Sequence, residues 1–379
     1  MKFFFRFLIF SFGFFSFIQN SIAQTPKYSN EFLTIGVSAR AHGMANAVVA
    51  NVSDVHAGFW NPAGLTQIDL PFQVAAMHAE WFAGIAKYDY LGIAKKLNSD
   101  PEKESTFGFS LVRLGVDNIP NTFYLVSPDG SINYDNVTQF SAADYALIFS
   151  YAQKIPGTNL SVGGGPKIIR RVIGTFGNAW GFGIDLGAQY KMGDWQFGLM
   201  ARDVSFTFNG WNFNLNDDER DVFLRTGNEI PSSTLEITTP RLIFGGAYVK
   251  KLNSKLQLIA ELDIDMTTDG RRPVLIPGNQ LSFDPHMGFE LNYSDLVFIR
   301  GGIANIQRAK SDVNFDETIY TLQPNMGIGM KLGKFTIDYS FTDIGNVSQV
   351  LYSHIFSLKI DFQRRPPEEG AGQFTSPNN

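Results

Sequence analysis

The 379-residue chain contains no cysteine and carries no excess of basic residues. Without cysteine, a disulfide framework, a thiolate metal site and a cysteine nucleophile are all excluded. Lys and Arg total 31 against 36 Asp and Glu, so the positive surplus that nucleic-acid binding requires is missing. We therefore expect no nucleic-acid partner.

Long hydrophobic runs are also missing once the first 23 residues are set aside. No stretch of about 18 apolar residues is available for a membrane-spanning helix, so any membrane span has to be made of strands. Charged residues make up only 18% of the chain, below the roughly 25% of soluble domains, whereas Phe, Tyr and Trp make up 14%. This balance suits a protein with an apolar exterior.

The first 23 residues have the pattern of a secretory signal peptide. Lys2 and Arg6 precede the apolar stretch Phe7–Ile18, and small residues stand at Ser21 and Ala23. This order predicts a signal peptide over residues 1–23 with cleavage before Gln24. A membrane anchor is the alternative, but the apolar stretch is interrupted and is shorter than the roughly 20 residues needed to span.

Apolar and polar residues alternate with a period of two along most of the remaining chain. From Trp180 to Met192 every second residue is apolar, and the same pattern returns at 256–264, 335–341 and 356–362. Successive side chains of a strand point to opposite faces, so each run has one apolar and one polar face. The runs are longer than the five or six residues of an average soluble strand, and they match the roughly 9 to 11 residues of a tilted transmembrane strand. A soluble β-sandwich is the alternative.

Fourteen such segments predict an all-β fold, a 14-stranded antiparallel transmembrane β-barrel over residues 71–362. Short turns and long connections alternate between consecutive segments, as in outer-membrane barrels with both termini on the periplasmic side and the loops at the cell surface. The segments are 71–82, 87–97, 105–116, 140–153, 158–173, 178–192, 194–204, 239–251, 254–267, 282–293, 295–306, 320–332, 334–343 and 353–362.

The segment from Gly36 to Leu65 breaks this alternation and is rich in small residues. It contains Ser38-Ala-Arg40-Ala-His-Gly43-Met44, then Asp54, then Phe59-Trp60-Asn61-Pro62-Ala63-Gly64-Leu65. This pattern resembles the hatch region of the PorV/PorQ proteins, a Bacteroidetes branch of the FadL-like outer-membrane barrels. The resemblance implies that residues 24–70 form an amino-terminal hatch, or plug, inside the barrel lumen. Its characteristic residues would be Arg40, Gly43, Met44, Asp54, Trp60, Asn61, Pro62 and Gly64.

The resemblance also implies a function in the type IX secretion system, for a paralogue of PorV rather than PorV itself. Members of this branch bind the carboxy-terminal signal domain of exported cargo at the translocon. The resemblance also implies a similar role as a partner of gliding adhesins. The alternative is FadL-like uptake of long-chain fatty acids or other hydrophobic compounds. Predicted inward positions carry both charge signs, which favours an ion-paired plug over a lipid conduit. They are Asp185, Lys191, Arg202, Glu261, Asp263, Asp265, Glu290, Asp338, Lys359 and Asp361.

Two long connections, 117–139 and 205–238, carry aromatic and apolar side chains that predict a partner-binding surface. The candidate residues are Phe123, Tyr124, Leu125, Phe208, Trp211 and Phe213. The alternative is an interfacial girdle or packing of loop against loop.

Catalytic signals are weak throughout the sequence. The five histidines are scattered without paired metal-ligand spacing, and no Gly-x-Ser-x-Gly motif occurs. We therefore predict a non-enzymatic protein with no catalytic residues, metal or cofactor. Residues 363–379 are polar and rich in Pro and Gly, which predicts a disordered periplasmic tail.

Overall fold

A closed antiparallel barrel of 14 strands forms the body of the protein. The computed structural model describes residues 29–82, 84–127, 130–310, 318–342 and 353–363. The first strand pairs with the last, from Phe72 opposite Phe362 to Glu80 opposite His354, and this seam closes the cylinder. The predicted signal peptide and nearly all of the predicted tail lie outside the described residues.

Sixteen strand segments make up the wall, because two barrel strands are each interrupted. In chain order they are β1 (Phe72–Trp81), β2 (Ala86–Asn98), β3 (Ser105–Asn121), β4 (Thr138–Lys154), β5 (Leu160–Ile173), β6 (Gly177–Met192), β7 (Trp195–Arg202), β8 (Thr207–Phe213), β9 (Leu235–Thr238), β10 (Arg241–Lys251), β11 (Leu256–Thr267), β12 (Ser282–Tyr293), β13 (Val297–Lys310), β14 (Thr318–Leu332), β15 (Phe335–Thr342) and β16 (Ser353–Phe362).

The segments β8 and β9 correct one expectation, because residues 205–238 do not form a simple loop. The strand β6 is twice as long as β7, and β8 continues along the part of β6 that β7 leaves unpaired, with Phe213 opposite Gly177. The strand β9 pairs with β8 and leads through Pro240 into β10. The two extra segments therefore prolong barrel strands and leave the strand number at 14, as predicted.

The two faces of the wall differ as the alternation predicts. On β6 the outward side chains of Trp180, Phe182 and Ile184 are exposed, whereas the inward side chains of Asp185 and Gln189 are buried. The apolar exterior matches the environment of a lipid bilayer. The buried polar side chains of the interior require hydrogen-bond or ion-pair partners within the barrel.

The barrel has two unlike rims. One rim, here the short-turn rim, joins strands through brief turns such as Gly193-Asp194 and Gly333-Lys334. The other, the long-loop rim, carries the longer connections, including the one that holds helix α3 (Asp217–Arg225). Two shorter helices precede the barrel, α1 (Ala39–Gly43) and α2 (Ala57–Trp60), followed by a 3₁₀ turn (Pro62–Gln67). Among the described residues, no helix has the length and apolar character to cross a membrane.

Candidate functional site: the barrel interior

Residues 29–70, called the lumenal segment, contact the inward-facing side of the barrel wall. The helix α1 packs against β13–β16, while the 3₁₀ turn Pro62–Gln67 packs against β3–β6 on the opposite wall. Small residues such as Ala39, Ala57 and Ala63 are fully buried there, which allows the segment to approach the wall closely. The segment starts near the long-loop rim, because Ser29 donates a hydrogen bond to Glu236 in β9.

Acidic side chains of β11 bind the backbone of the lumenal segment. Asp263 Oδ2 accepts hydrogen bonds from the amides of Val48 and Val49 at 2.9 and 3.0 Å. Glu261 accepts from the amide of Ala50 at 2.6 Å and from the side chain of Asn51. Residues 48–51 are neither helix nor strand, so these carboxylates supply partners that buried amides would otherwise lack.

Arg40 joins α1 to the wall through a chain of ion pairs. Its Nε donates to Glu290 Oε2 at 2.8 Å, and Glu290 is shared with Arg300, which in turn contacts Asp338 at 2.7 Å. Burial opposes the charged form of Arg40, but the charge and hydrogen bonds of Glu290 raise its pKa above the ordinary value. The guanidinium therefore stays a cation although it is largely buried.

Asp54 forms the second ionic contact between the lumenal segment and the wall. Lys359 Nζ on β16 lies 2.9 Å from Asp54 Oδ2, and His56 Nδ1 lies 3.0 Å from Asp54 Oδ1. Burial alone would raise the pKa of Asp54, but the charges of Lys359 and His56 hold that pKa well below its ordinary value. Both charged residues of the predicted hatch are thus paired, which supports an anchoring role for them.

Trp60 and Asn61 hold the lumenal segment together internally. The Trp60 indole donates to the carbonyl of Val37 at 2.9 Å. The Asn61 amide donates to the carbonyls of Val49 and Ala188, and so ties the segment both to itself and to β6. Asn61 also caps the 3₁₀ turn in which Pro62 occupies the first position.

The remaining predicted hatch residues lie at close backbone approaches. A Cβ on Gly64 would stand 2.2 Å from the carbonyl oxygen of Val52, and a Cβ on Gly43 would stand 3.0 Å from the Cα of Gly327. Met44 is fully buried beside Gly288 of β12. No side chain larger than hydrogen fits at Gly64 without a shift of the backbone.

Two buried cations of the wall, Arg202 and Lys167, also bond inside the barrel. Arg202 lies over the rings of Phe59 at 4.6 Å and Trp60 at 5.5 Å, and donates to the carbonyls of Leu33 and Phe59. Lys167 contacts Asp185 and Asp203 at 2.8 and 2.7 Å. Arg202 is one of the inward positions predicted from the sequence, whereas Lys167 is a buried residue that the prediction missed.

The predicted partner-binding residues lie around the long-loop rim, but they differ in exposure. Phe123 packs against Phe176 and Phe223 of neighbouring connections, with ring centroids 5.2 and 5.7 Å apart. Leu125 is half-buried, while Tyr124 is exposed and accepts a hydrogen bond from Asn216.

The other three residues lie on strand β8 and not in a loop. Trp211 is buried against Phe213, with Arg171 5.0 Å over its ring. Phe208 is exposed beside Phe182, on the outward face of the wall. Partner binding by these six residues stays a prediction.

Two open cavities lie on either side of the lumenal segment. The long-loop cavity has a volume of about 430 Å³ and is lined in part by His42, Asn46 and Trp81. The short-turn cavity has a volume of about 590 Å³ and is lined in part by Arg40 and Asp54. Residues 40–54 therefore separate two spaces that would otherwise form one lumen. No cluster of metal-ligating side chains occurs in the part of the chain that the structure describes.

A scan of protein-family models and a search of curated proteins find no match to this chain. Its fold is similar to that of solved outer-membrane channels. The CymD monoaromatic hydrocarbon channel has a TM-score of 0.53 and 12% identity, over 87% of this chain and 98% of that one. The Pseudomonas putida toluene transporter TodX has a TM-score of 0.52 and 11% identity, over 87% and 99%. A Pseudomonas aeruginosa FadL homologue has a TM-score of 0.51 and 15% identity, over 86% and 98%.

The fold of this chain is therefore similar to that of these solved channel barrels. At these identities the likeness concerns the fold alone.

Proposed function

We propose that this protein admits small hydrophobic or amphipathic molecules across the outer membrane. The observation that carries the proposal is the pair of cavities, one towards each rim, with residues 40–54 of the lumenal segment between them. The solved channels of similar fold are described as hydrocarbon channels and toluene transporters, which supports the same class of cargo. The wall is continuous around the segment, so passage along the barrel axis requires that this segment shift.

The contacts of the lumenal segment suit a plug that can move without unfolding the barrel. Residues 40–54 are held by ion pairs and hydrogen bonds at Arg40, Val48–Asn51 and Asp54, and also by the packing of buried apolar side chains such as Met44. The wall keeps its own strand ladders throughout. We therefore assign residues 40–54 as the element that controls passage.

Uptake by whole cells tests this function, because the lipopolysaccharide leaflet slows hydrophobic solutes that would cross a simple bilayer unaided. The protein is expressed in a Gram-negative host that lacks its own hydrocarbon channel, and entry of labelled toluene and of a labelled long-chain fatty acid is followed. Faster entry of either compound than in cells with an empty vector supports the proposal. Entry of both compounds at the same rates as in cells with an empty vector contradicts the proposal.

A second function, binding of type IX secretion cargo or translocon at the long-loop rim, is favoured by the resemblance of residues 38–65 and by the exposed side chain of Tyr124. Purification of the tagged protein from native membranes separates the two proposals. Recovery of a secretion component without bound hydrophobic ligand would favour the secretion function. Recovery of a fatty acid or hydrocarbon alone, by mass spectrometry, would favour transport.

A further inference from the structure

A group of charged side chains interrupts the apolar exterior of the wall. Arg113 on β3 donates to Asp89 on β2 at 3.2 Å, and Asp89 also bonds to His78 Nδ1 on β1 at 2.7 Å. Lys87 and Asp117 form a second ion pair across β2 and β3, 3.2 Å apart. The residues that alternate with them along each strand are buried on the inward face, so these five side chains point outward. Together they form the charged wall patch.

The charged wall patch lies within the height of the membrane. His78 stands six positions along β1 from Phe72, and Arg113 stands eight positions along β3 from Ser105, where Phe72 and Ser105 are the short-turn ends of their strands. At about 3.3 Å per residue and a tilt of about 40°, these positions lie about 15 and 20 Å from the short-turn ends. The apolar band of such barrels is about 25 Å tall. Lipid around this part of the wall would therefore present hydrocarbon to the patch.

Three other strands carry apolar side chains at a similar height on the same outward face. Phe356 on β16 lies directly opposite His78 in the register and is exposed. Ile184 on β6 and Ile264 on β11 each stand eight positions from the short-turn end of their strand, and both are exposed. The patch therefore marks one sector of the wall, β1–β3, as different from the rest.

The ion pairs within the patch do not cover its charges. The exposed fractions of the side chains are 52% for His78, 40% for Asp89 and 46% for Lys87. Charged groups that face lipid are costly, because hydrocarbon offers no hydrogen bonds to their exposed atoms. A protein surface with polar groups of its own supplies such bonds. The patch is therefore typical of a protein–protein contact inside the membrane.

The order of the charges fits a second copy of this chain. On β2 the acid Asp89 lies nearer the short-turn rim and the base Lys87 nearer the long-loop rim. On β3 the order is reversed, with the base Arg113 directly opposite Asp89 and the acid Asp117 bonded to Lys87. A two-fold axis along the membrane normal keeps every residue at its own height. Placed between β2 and β3, this axis brings β2 of each copy against β3 of the other, so every one of these four charges meets its opposite.

We propose that the charged wall patch is the centre of a symmetric interface between two copies of this chain in the membrane. Asp89 then bonds to Arg113 of its own chain and faces Arg113 of the second copy, and each contact occurs twice, as in any isologous dimer. Leu91 and Leu111 lie directly opposite each other on β2 and β3, so they come close to the axis and supply apolar contact beside the charges. The interface uses the outside of the wall and does not depend on passage through the barrel.

A single cysteine at position 91 tests where the axis lies, because the chain has no native cysteine. Cells that express Leu91→Cys are treated with a short bismaleimide before the membranes are dissolved. We expect a cross-linked dimer as the main product on a denaturing gel. Ile184→Cys on β6, an outward position of similar exposure, is the matched control and should stay monomeric. If Leu91→Cys gives no more dimer than Ile184→Cys, the proposal is overturned.

Charge reversal in the Leu91→Cys background tests the contacts themselves. Asp89→Arg sets like charges against Arg113 in both copies, and we expect the yield of cross-linked dimer to fall at least tenfold. Asp89→Arg/Arg113→Asp restores opposite charges within and between copies and should recover at least half of the original yield. Lys250→Glu is the control, because it breaks an ion pair with Asp194 at the short-turn rim and should leave the yield unchanged. Heat-modifiable mobility in SDS shows which variants fold, and the double variant keeps the test intact if the single variant does not.

The double variant also separates a second copy from a different membrane protein on the same patch. A partner of another sequence keeps its own charges, so an exchange of Asp89 and Arg113 does not restore its binding. Nanodiscs formed directly from cell membranes and analysed by native mass spectrometry identify the occupant. A dimer of this chain is expected. A complex with another protein, or a wild-type protein that is monomeric in these nanodiscs, overturns the proposal.

Discussion

Arg202 shows how one buried side chain can organise the lumenal segment. Its guanidinium lies over two aromatic rings and also donates to two backbone carbonyls, and both kinds of contact depend on a planar, multiply donating group. Lysine carries the same charge but has neither the plane nor the fork of donors. The role of Arg202 is therefore one of shape as much as of charge.

Replacement of Arg202 by Lys should loosen residues 57–60 while the barrel stays closed. We expect the free energy of local opening to fall by roughly 1–2 kcal/mol, the size of a partly buried cation–π contact and its hydrogen bonds. Hydrogen exchange of peptides covering residues 30–65, measured in nanodiscs, reports this change. Arg171→Lys, which stacks on Trp211 near the long-loop rim, is the control and should leave those peptides unchanged. Equal exchange in both variants would contradict the assignment.

His42 should make the packing of the lumenal segment sensitive to acid. Burial lowers the pKa of His42 from 6.5 to about 4, although its hydrogen bond with the carbonyl of Gly36 favours the proton. The packed state keeps His42 neutral, whereas the opened state protonates it below about pH 6.5. Stability of the packed segment is therefore constant above that pH and falls by about 1.4 kcal/mol per pH unit down to about pH 4.

Hydrogen exchange of residues 36–46 between pH 7 and pH 4.5, corrected for intrinsic rates, measures this dependence. His42→Gln should flatten it, and His78→Gln, at an exposed position on β1, should not. A wild-type profile without slope between pH 6.5 and 4.5 would rule out His42 as the titrating group.

Inward-pointing side chains could be predicted from the sequence far better than their hydrogen-bond partners could. Alternation along the strands correctly placed Asp185, Glu261 and Asp263 inside the barrel, because facing depends only on strand period. It could not show that Asp263 binds the amides of residues 48 and 49, because those groups lie more than 200 positions away in the chain. Partner identity depends on register and closure, which no local pattern encodes.

At the scale of elements, strands β7, β10, β12 and β13 carry inward glycines where the lumenal segment passes closest. A Cβ on Gly198 of β7 would stand 2.4 Å from the carbonyl oxygen of Val49, and a Cβ on Gly302 of β13 would stand 2.6 Å from the carbonyl carbon of Met44. The wall is thus shaped to fit the backbone of the segment. This fit explains why small residues are needed on both sides.

Gly198→Ala should displace residues 48–51 and destabilise the packed segment by roughly 1–3 kcal/mol, the usual cost of overpacking. The matched control is Gly246→Ala on the neighbouring strand β10, where an added Cβ meets nothing within 4 Å. Hydrogen exchange at residues 48–51 should rise in the first variant only. If the control destabilises the segment equally, wall strain rather than contact with the segment is responsible.

The sequence also missed how β7 and β10 are prolonged. Residues 205–238 lack the long alternating run that identified the other strands, because β8 has only seven residues and β9 only four. The strand β8 pairs with the part of β6 that β7 leaves unpaired, and β9 pairs with β8. This edge exists only in the folded barrel, so no local sequence pattern indicates it. The 14 barrel strands themselves were predictable because each must cross the bilayer and therefore carries a long periodic signal.

At the scale of the whole molecule, transport requires that the lumenal segment move relative to the wall. A covalent tether tests this directly, and the absence of native cysteine makes the experiment clean. A Cβ on Gly58 would lie 3.2 Å from Ser110 Oγ on β3, within reach of a disulfide in Gly58→Cys/Ser110→Cys. We expect the oxidised double variant to reduce toluene uptake at least tenfold and reductant to restore it. Both single variants serve as controls, and undiminished uptake by the oxidised protein would show that cargo passes a fixed segment.

The pairing of β1 with β16 has a consequence for biogenesis. Residues 29–70 precede every strand in the chain, yet they end up enclosed by a cylinder whose seam joins the earliest strand to the latest. Ser29 lies near one mouth of that cylinder, and Pro71 enters β1 at the other. Insertion after closure would mean threading some forty residues down an already sealed tube. The topology therefore favours placement of the segment before β1 and β16 pair, so that the sheet closes around it.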